Sequence, residues 1–573
     1  MKQEKWLIAA KKADFTEIGR RFSVDPVVAR LIRNRDIEGA EAIGKYLYGT
    51  TDDLYDPLLM KGIAEAVAVL QRKIRDQKRI RIIGDYDIDG IMAAYILQTG
   101  LRMLGAAVDV VIPHRVQDGY GLNDDLIRAA AEDGVDTILT CDNGIAAFSQ
   151  IAYANTLGLT VVITDHHEVP YEETEAGRRY LLPPAAAVVD PKQPGCRYPF
   201  PGICGAVVAM KLMQALYAAA GRDGGQAVEM FLEMAAFATV GDVMELVDEN
   251  RILVKSGLRR LQDSENPGLR ALLEVCDLTG KKLSAYHIGF ILGPCFNAAG
   301  RLDTAGRALA LLQCGTRAEA LSIATDLKHL NESRKELTQQ GLEAAETQIA
   351  AQGLEGRKVL VVYLADCHES LAGIIAGRLR ERYGRPAFVL TDAGGEVKGS
   401  GRSVPAYSMY EEMCKCKDLY TKYGGHKMAA GLSLPRENVE AFMRRMEENC
   451  DLQPADFAET VHIDMQMPFG YVYRELIEQF SLLEPFGNGN RKPLFAQKNV
   501  TLLDSRILGQ NGTVGRYTVQ DETGLRLEMT YFGQQEALQA YWREKKTLSV
   551  TYCPELHTYR GRTQIQFVLQ NYR

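Results

Sequence analysis

The chain has 573 residues, 46% hydrophobic and 25% charged, enough for three or four globular cores of about 150 residues each. A formal net charge of −7 argues against a protein that coats duplex DNA by bulk electrostatics, but not against a local groove in which bound cations offset clustered acids. No apolar run reaches membrane-spanning length, and MKQEKWLIAAKKADF lacks the core and cleavage site of a signal peptide, so a cytoplasmic protein is expected.

Residues 1–60, with helical patterns around 27–32 and 37–47, read as an N-terminal segment that packs on the domain next to it in the chain. An amphipathic helix over 63–77 leads into KRIRIIGDYDIDGIMAAYILQTGLRML, from Lys78 to Leu104. Alternating basic and β-branched residues at 79–83 predict a strand. It breaks at Gly84, presents Asp85, Asp87 and Asp89 at alternate positions, and gives way to a helix after Gly90. A calcium loop also begins Asp-x-Asp-x-Asp-Gly, but it needs a preceding helix and a Glu at its twelfth position, where this chain has Ile96. Helix capping would account for one or two of these acids. Three repel one another unless a cation gathers them.

The same construction recurs. A strand over 107–113 ends at His114 and Arg115, followed by a turn over 118–123. The strand at 135–140 delivers Cys141, Asp142, Asn143 and Gly144, and the one at 159–164 delivers Asp165, His166, His167 and Glu168. In an open parallel sheet ligands collect beyond the carboxyl ends of the strands, so these tips converge on one site. Arg115 lies at that edge and suits a phosphate. A strand at 185–189 ends in Asp190-Pro191, and helices come next over 203–220 and 227–240. The second runs into GDVMELVDENR, where Asp242 is either a cap or a further carboxylate ligand.

A glycine-punctuated loop, GPCFNAAGRLDTAGRALALL from Gly293, precedes a helix over 317–352 that reads as a spacer. The pattern then resets to a second α/β domain: strand KVLVVYL, a helix over 368–383, strand PAFVLT, and two glycine-rich loops, GSGRS and GGHKMAAG, suited to close approach to phosphate. From about 459 onward, short alternating strands predict a small barrel. Its Tyr517, Tyr531, Phe532, Tyr559 and Phe567 interleave with Arg506, Arg516, Arg526, Arg560 and Arg562, the mixture of a single-strand stacking platform in which about half of the aromatics belong to the core. The eleven cysteines include no Cys-x-x-Cys pair, so free thiols are expected rather than disulfides or zinc.

Carboxylates of Asp87, Asp89, Asp142 and Asp242 with the imidazole of His166 form a hard, anionic ligand set for Mg²⁺ or, given the imidazole, Mn²⁺. Shared carboxylates can hold two ions about 3.5–4 Å apart, the arrangement for in-line displacement at phosphorus. Phosphodiester hydrolysis without a covalent nucleophile is the chemistry this predicts.

The order DYDIDG, DNG, DHH, GDVMELVDENR, NAAGR, GRS and GGHKMAAG resembles the DHH phosphoesterase superfamily and, within it, the RecJ family of single-strand-specific exonucleases, over nearly the whole chain. The resemblance implies an α/β fold in which a DHH parallel-sheet domain (61–315) and a DHH-associated domain (356–455) are joined by a linker helix (316–355), with an N-terminal segment (1–60) and a C-terminal OB-like barrel (456–573). It implies two Mn²⁺ or Mg²⁺ ions on Asp87, Asp89, Asp142, His166 and Asp242, with His167 beside the phosphate and Asp85 and Asp165 supporting. Arg115, Ser400 and Arg402 would hold a 5′-terminal phosphate, and Asn297, Arg301, His368 and His426 would line the strand cleft. The implied activity is stepwise 5′→3′ release of mononucleotides from single-stranded DNA in repair and recombination, by a monomer working with a helicase and a single-strand-binding protein. Ile88, Asn143 and Cys295-Phe296 depart from the family pattern, and the last removes an Arg expected to touch the strand. Two other readings remain: a phosphodiesterase of short oligoribonucleotides or cyclic dinucleotides, and a non-catalytic DNA-binding scaffold.

Overall fold

The computed structural model describes residues 4–115, 118–119, 121–175, 177–508, 512–559 and 561–573. Tyr120 of the expected turn and Arg560 and the Tyr559 side chain of the expected platform lie outside the described residues. Two compact units emerge, one built from residues 55–242 and 257–459, the other from 5–54, 243–256 and 460–573.

The first unit contains a parallel sheet of β1 (Arg79–Ile83), β2 (Ala107–Val111), β3 (Thr137–Cys141), β4 (Thr160–Thr164) and β5 (Ala187–Val189), in spatial order β2-β1-β3-β4-β5. Helices cover both faces, which is why Ile82, Ile83, Ile138, Leu139, Val161, Val162 and Ile163 can be fully buried in near-continuous apolar strands. The order reverses between β1 and β3, and a crevice opens beyond the carboxyl ends of strands at such a point. Helix α1 (Ile88–Met103) leaves β1 with Asp87 as its N-cap, the carboxylate accepting from the amides of Asp89 and Gly90. Two more helices, α2 (Gly205–Ala219) and α3 (Gly224–Gly241), pack on α1.

The stretch from Gly293, expected as a loop, is instead helical: α4 (Gly293–Leu302) and a further helix over Gly306–Gln313. Its glycines mark close approach rather than turning. A Cβ on Gly300 would sit 2.5 Å from the Tyr86 carbonyl oxygen. Helix α5 (Arg317–Ala351) runs unbroken for 35 residues. It is more than a spacer, because Ala345 and Ile349 join the core formed with α6 (Glu369–Tyr383). Gly341 is required there, since a Cβ would stand 2.5 Å from Ile375 Cδ1.

In the same unit a second sheet runs β9-β10-β8-β7-β6, from β6 (Leu360–Tyr363), β7 (Ala387–Ala393), β8 (Glu396–Arg402), β9 (Lys422–Gly425) and β10 (Ala429–Leu434). The two motifs read as glycine-rich loops are therefore largely strand. Strand alternation explains their composition: a Cβ on Gly399 would meet Leu390 at 2.5 Å and one on Gly401 would meet Met409 Sδ at 2.3 Å, so glycines face the apolar core while Lys398, Ser400 and Arg402 share the other face.

The second unit is a barrel of β11 (Met465–Gln466), β12 (Phe495–Leu508), β13 (Val514–Gln520), β14 (Arg526–Phe532), β15 (Thr547–Tyr559) and β16 (Arg562–Tyr572), closed by pairing of β12 with β15. The N-terminal segment packs on this barrel and not on the domain next to it in the chain. Val28, Leu31, Ile32 and Leu47 share one core with Phe469, Phe495, Tyr517 and Tyr552. Tyr517 and Phe567 of the expected stacking set point into that core, whereas Phe532 is exposed. Arg251 locks the unit: its buried guanidinium donates to the carbonyls of Tyr46 (2.9 Å), Leu483 (2.8 Å) and Leu482 (2.7 Å) and lies over the Tyr46 ring. All eleven cysteines are free thiols, and among the described residues no helix is long and apolar enough to cross a membrane.

Candidate metal centre and anion pocket

The tips of β1, β3 and β4 and the end of α3 bring five sequence-predicted side chains to one point. His166 Nε2 stands 3.0 Å from Asp142 Oδ1, 3.4 Å from Asp89 Oδ2 and 3.7 Å from Asp242 Oδ2. Asp85, Asp87 and Asp142 form an overlapping group whose ligand atoms lie within 4.8 Å of one another. The backbone is bent to achieve this: Asp142 adopts a left-handed conformation at φ 62°, uncommon for a residue with a side chain.

Supporting contacts fix each group. Asp89 accepts from the amides of Gly205 (2.6 Å) and Ala206 (2.7 Å) at the start of α2. Gly205 has no room for a side chain, since a Cβ would meet Asp142 Cβ at 2.8 Å and Asp89 Oδ2 at 3.0 Å. Asp165 accepts from the amides of Ile145 (2.9 Å), His166 (2.7 Å) and His167 (3.2 Å) and is 2.7 Å from His167 Nδ1. Burial alone would raise Asp165, but the His167 hydrogen bond and charge hold it below the usual carboxylate range. In return, and against the effect of burial, Asp165 lifts the His167 imidazole to about 9. A protonated His167 beside the acid cluster is thereby favoured.

The acids themselves are pushed the other way. Burial and then Asp87 raise Asp85 to about 8, and burial and then Asp89 raise Asp242 to about 8; Asp87 and Asp142 rise for the same two reasons. Burial lowers His166, leaving a neutral imidazole faced by three carboxylates. Asp85 Oδ1 and His166 Nδ1 are buried without a hydrogen-bond partner. Crowded, reluctant carboxylates around a neutral nitrogen are what a divalent cation would relieve, and oxygen with one nitrogen is a donor set for Mn²⁺ or Mg²⁺. The residues fit such ions.

Asp85, Asp87, Asp89, Asp242, Asn297 and Arg301 line a cavity of about 270 Å³, whose wall includes Tyr86 and Arg115. Those two also border a larger cavity of about 450 Å³ that contains Ser400. The Arg115 guanidinium lies 4.6 Å from the centre of the Tyr86 ring. Arg301 is lowered to about 10 by burial and then by Arg115, Arg334 and Arg402, and Arg402 is lowered by burial and then by Arg115. Among the described residues Arg115, Arg301 and Arg402 form no ion pair, so their mutual repulsion marks a place for an anion. Arg301 is anchored through Nη1 to the Ser370 carbonyl at 2.7 Å. His368 caps α6 through Ser370, and His426 sits exposed in the turn between β9 and β10; neither lines these two cavities.

Sequence reasoning missed Tyr86, the common wall, although it stands between two of the acids. It also missed Lys398, whose position two residues before Ser400 on one strand was the available signal. The amides of Gly205 and Ala206 carry no such signal. Asp190, noted only as a strand end, is a fully buried carboxylate raised to about 8 by burial and then by Asp165.

Comparison with known proteins agrees with this geometry. Residues 79–241 match the DHH family N-terminal domain, 356–451 the DHHA1 domain and 463–571 the RecJ OB domain. The single-stranded-DNA-specific exonuclease RecJ of Bacillus subtilis is 35% identical over 88% of this chain and 62% of its own length. That of Salmonella typhimurium is 31% identical over 100% of this chain and 99% of its own. A crystal structure of RecJ in complex with Mn²⁺ from Thermus thermophilus aligns over 100% of this chain and 79% of that one, with a TM-score of 0.83 at 28% identity. Full-length similarity at this level, with all three domain types in order, means that the chain belongs to the RecJ family of single-stranded-DNA-specific exonucleases.

Proposed function

We propose that this protein is a metal-dependent exonuclease that hydrolyses single-stranded DNA from its 5′ end, releasing 5′-mononucleotides in repair and recombination. The observation that carries the reading is the approach of His166 Nε2 to Asp89, Asp142 and Asp242 within 3.0–3.7 Å, next to three unpaired arginines. Asp87, Asp89, Asp142, His166 and Asp242 would hold the ions, with Asp85 beside them. A bound Mn²⁺ or Mg²⁺ pair supplies Lewis acidity that makes water a competent nucleophile and offsets charge at phosphorus. Asp165 keeps His167 positioned and protonated, ready to donate to a phosphate oxygen. Arg115, Arg402 and Ser400 receive the 5′-phosphate, and Arg301 and Asn297 flank the strand. His368 and His426, at the rim, would meet it as it enters.

The names of the relatives support the substrate, and this reading has the protein acting in the cytoplasm as a monomer, alongside a helicase and a single-strand-binding protein. The test is the product from a long, labelled, 5′-phosphorylated single strand with Mn²⁺. Mononucleotides should leave from the 5′ end, and Asp142→Ala should lower the rate by more than about a hundredfold. A preference for dinucleotides, or an unaffected variant, would refute the assignment.

A further inference from the structure

The larger cavity is too roomy for the role it has been given. One 5′-phosphate at Arg115, Ser400 and Arg402 fills a small part of about 450 Å³, a volume in the range of whole-ligand sites. Beyond Ser400 the cavity continues over Lys398, Glu369, Lys422 and Ser433.

Register explains how this extension is built. Across three adjacent strands, Lys398 pairs with Ser433 and Ser433 with Lys422, one row; Ser400 pairs with Gly431 and Gly431 with Gly424, the next row. The rows are two residues apart, so the lysine row lies roughly 7 Å beyond the serine row on the same face. The glycine floor between them is open: a Cβ on Gly424 would touch nothing within 4 Å, and one on Gly431 only the Gly399 carbonyl oxygen at 3.9 Å. Lys398 is 2.6 Å from Glu369, whereas Lys422 forms no ion pair among the described residues. Arg115, Lys398 and Lys422 against Glu369 leave the cavity net positive. A nucleobase would find little to stack on, because the Tyr423 ring is already packed against Tyr410 and Tyr420.

We infer that the row Lys398–Ser433–Lys422 is a second anion subsite that takes the outer phosphates of a polynucleotide bearing a 5′-triphosphate. This rests on the reading that Arg115, Ser400 and Arg402 hold the 5′-phosphate. The outer phosphates extend away from the acid cluster, so the first cut is otherwise unchanged. Water adds to the phosphorus joining the first two nucleotides and the bond from that phosphorus to the 3′-oxygen breaks. The 3′-oxygen takes up a proton, and a nucleoside 5′-triphosphate leaves a strand that now begins with a 5′-monophosphate.

The experiment compares one DNA sequence carrying a 5′-hydroxyl, 5′-monophosphate or 5′-triphosphate, cut by the full chain with Mn²⁺, the first product being identified by chromatography. The triphosphate strand should be cut within about tenfold of the monophosphate strand, with a nucleoside triphosphate released first. The Lys398→Gln/Lys422→Gln double variant should lower the ratio of triphosphate to monophosphate cutting by at least about tenfold, the monophosphate rate reporting that the variant is folded. A triphosphate strand cut more than about tenfold slower, or a ratio unchanged in the variant, overturns the second subsite. Equal cutting of hydroxyl and monophosphate strands instead overturns the 5′-phosphate reading beneath it.

Discussion

Replacing Gly205 by Ala adds one methyl group at the most confined point of the acid cluster. The backbone there is ordinary helix, and Ala is a better helix former than Gly by up to about 1 kcal/mol, so the main chain would welcome the change. The side chains would not. The new Cβ would sit 2.8 Å from Asp142 Cβ, 3.1 Å from Asp142 Cα and 3.0 Å from Asp89 Oδ2. Overpacking of this kind costs roughly 1–3 kcal/mol, which the gain in helix propensity partly offsets. The remaining loss of about 0–2 kcal/mol is a modest shift in thermal midpoint. Relief must come from moving Asp89 or Asp142, and Asp89 is tied to the amides of residues 205 and 206, so it moves with the helix. A misplacement of a few tenths of an ångström to 1 Å in a reacting constellation lowers rates by up to about a hundredfold. Gly205→Ala should therefore fold and yet lose nuclease activity by about thirtyfold to a hundredfold, with weaker Mn²⁺ binding by calorimetric titration. A variant that cuts within threefold of the parent while binding Mn²⁺ equally well would show that the close approach of α2 does not set the acids.

Burial sets two further outcomes. Arg251→Met should destabilise the barrel unit by about 3–5 kcal/mol, because three carbonyls lose a charged donor in a buried setting. Both tryptophans, Trp6 and Trp542, lie in that unit, so urea unfolding followed by their fluorescence reads it selectively, and an unshifted midpoint would contradict the locking role. Glu233, buried in α3, accepts from Ser264 at 3.0 Å while its other oxygen has no partner, and burial raises it from 4.5 to about 7. A carboxyl raised on folding contributes stability that is fully present below its ordinary value and is lost as pH rises through the folded value. Glu233→Gln should therefore gain on the parent between about pH 4.5 and 7, reaching roughly 2–3 kcal/mol at pH 8, and parallel calorimetric stability curves across that window would refute the assignment.

The parts of this molecule that were legible in the sequence are those where local pattern and chemistry coincide. Strands buried on both faces give uninterrupted apolar runs, and such a run ending abruptly in DYDIDG, CDNG or DHHE announces both a strand tip and its acids. Convergence then followed from sheet topology alone. What escaped notice was carried by backbone or by distance. The donors that hold Asp89 are two amides 116 and 117 positions away, which any residue but proline could supply. The glycines of NAAGR and GSGRS were visible but misread as loop formers, because a missing side chain signals equally a turn and a close neighbour; only the Tyr86 carbonyl against Gly300 and Leu390 against Gly399 decide between them. The partnership of the N-terminal segment with the barrel leaves no periodicity at all, since it joins residues more than 400 positions apart.

These omissions have one origin. Side chains that meet solvent ions or substrate are selected by chemical type and can be read singly, whereas those that set distances act through excluded volume and backbone hydrogen bonds, whose meaning depends on the partner. Asp242 shows the boundary: after an apolar helix it could equally have been a cap, and only its 3.7 Å approach to His166, reached because α3 runs alongside α1 with Gly241 against Ile88, moves it into the ligand set. The identity of the ligands was thus a property of the sequence, but their spacing, on which the chemistry depends, belongs to glycines that touch neither metal nor DNA.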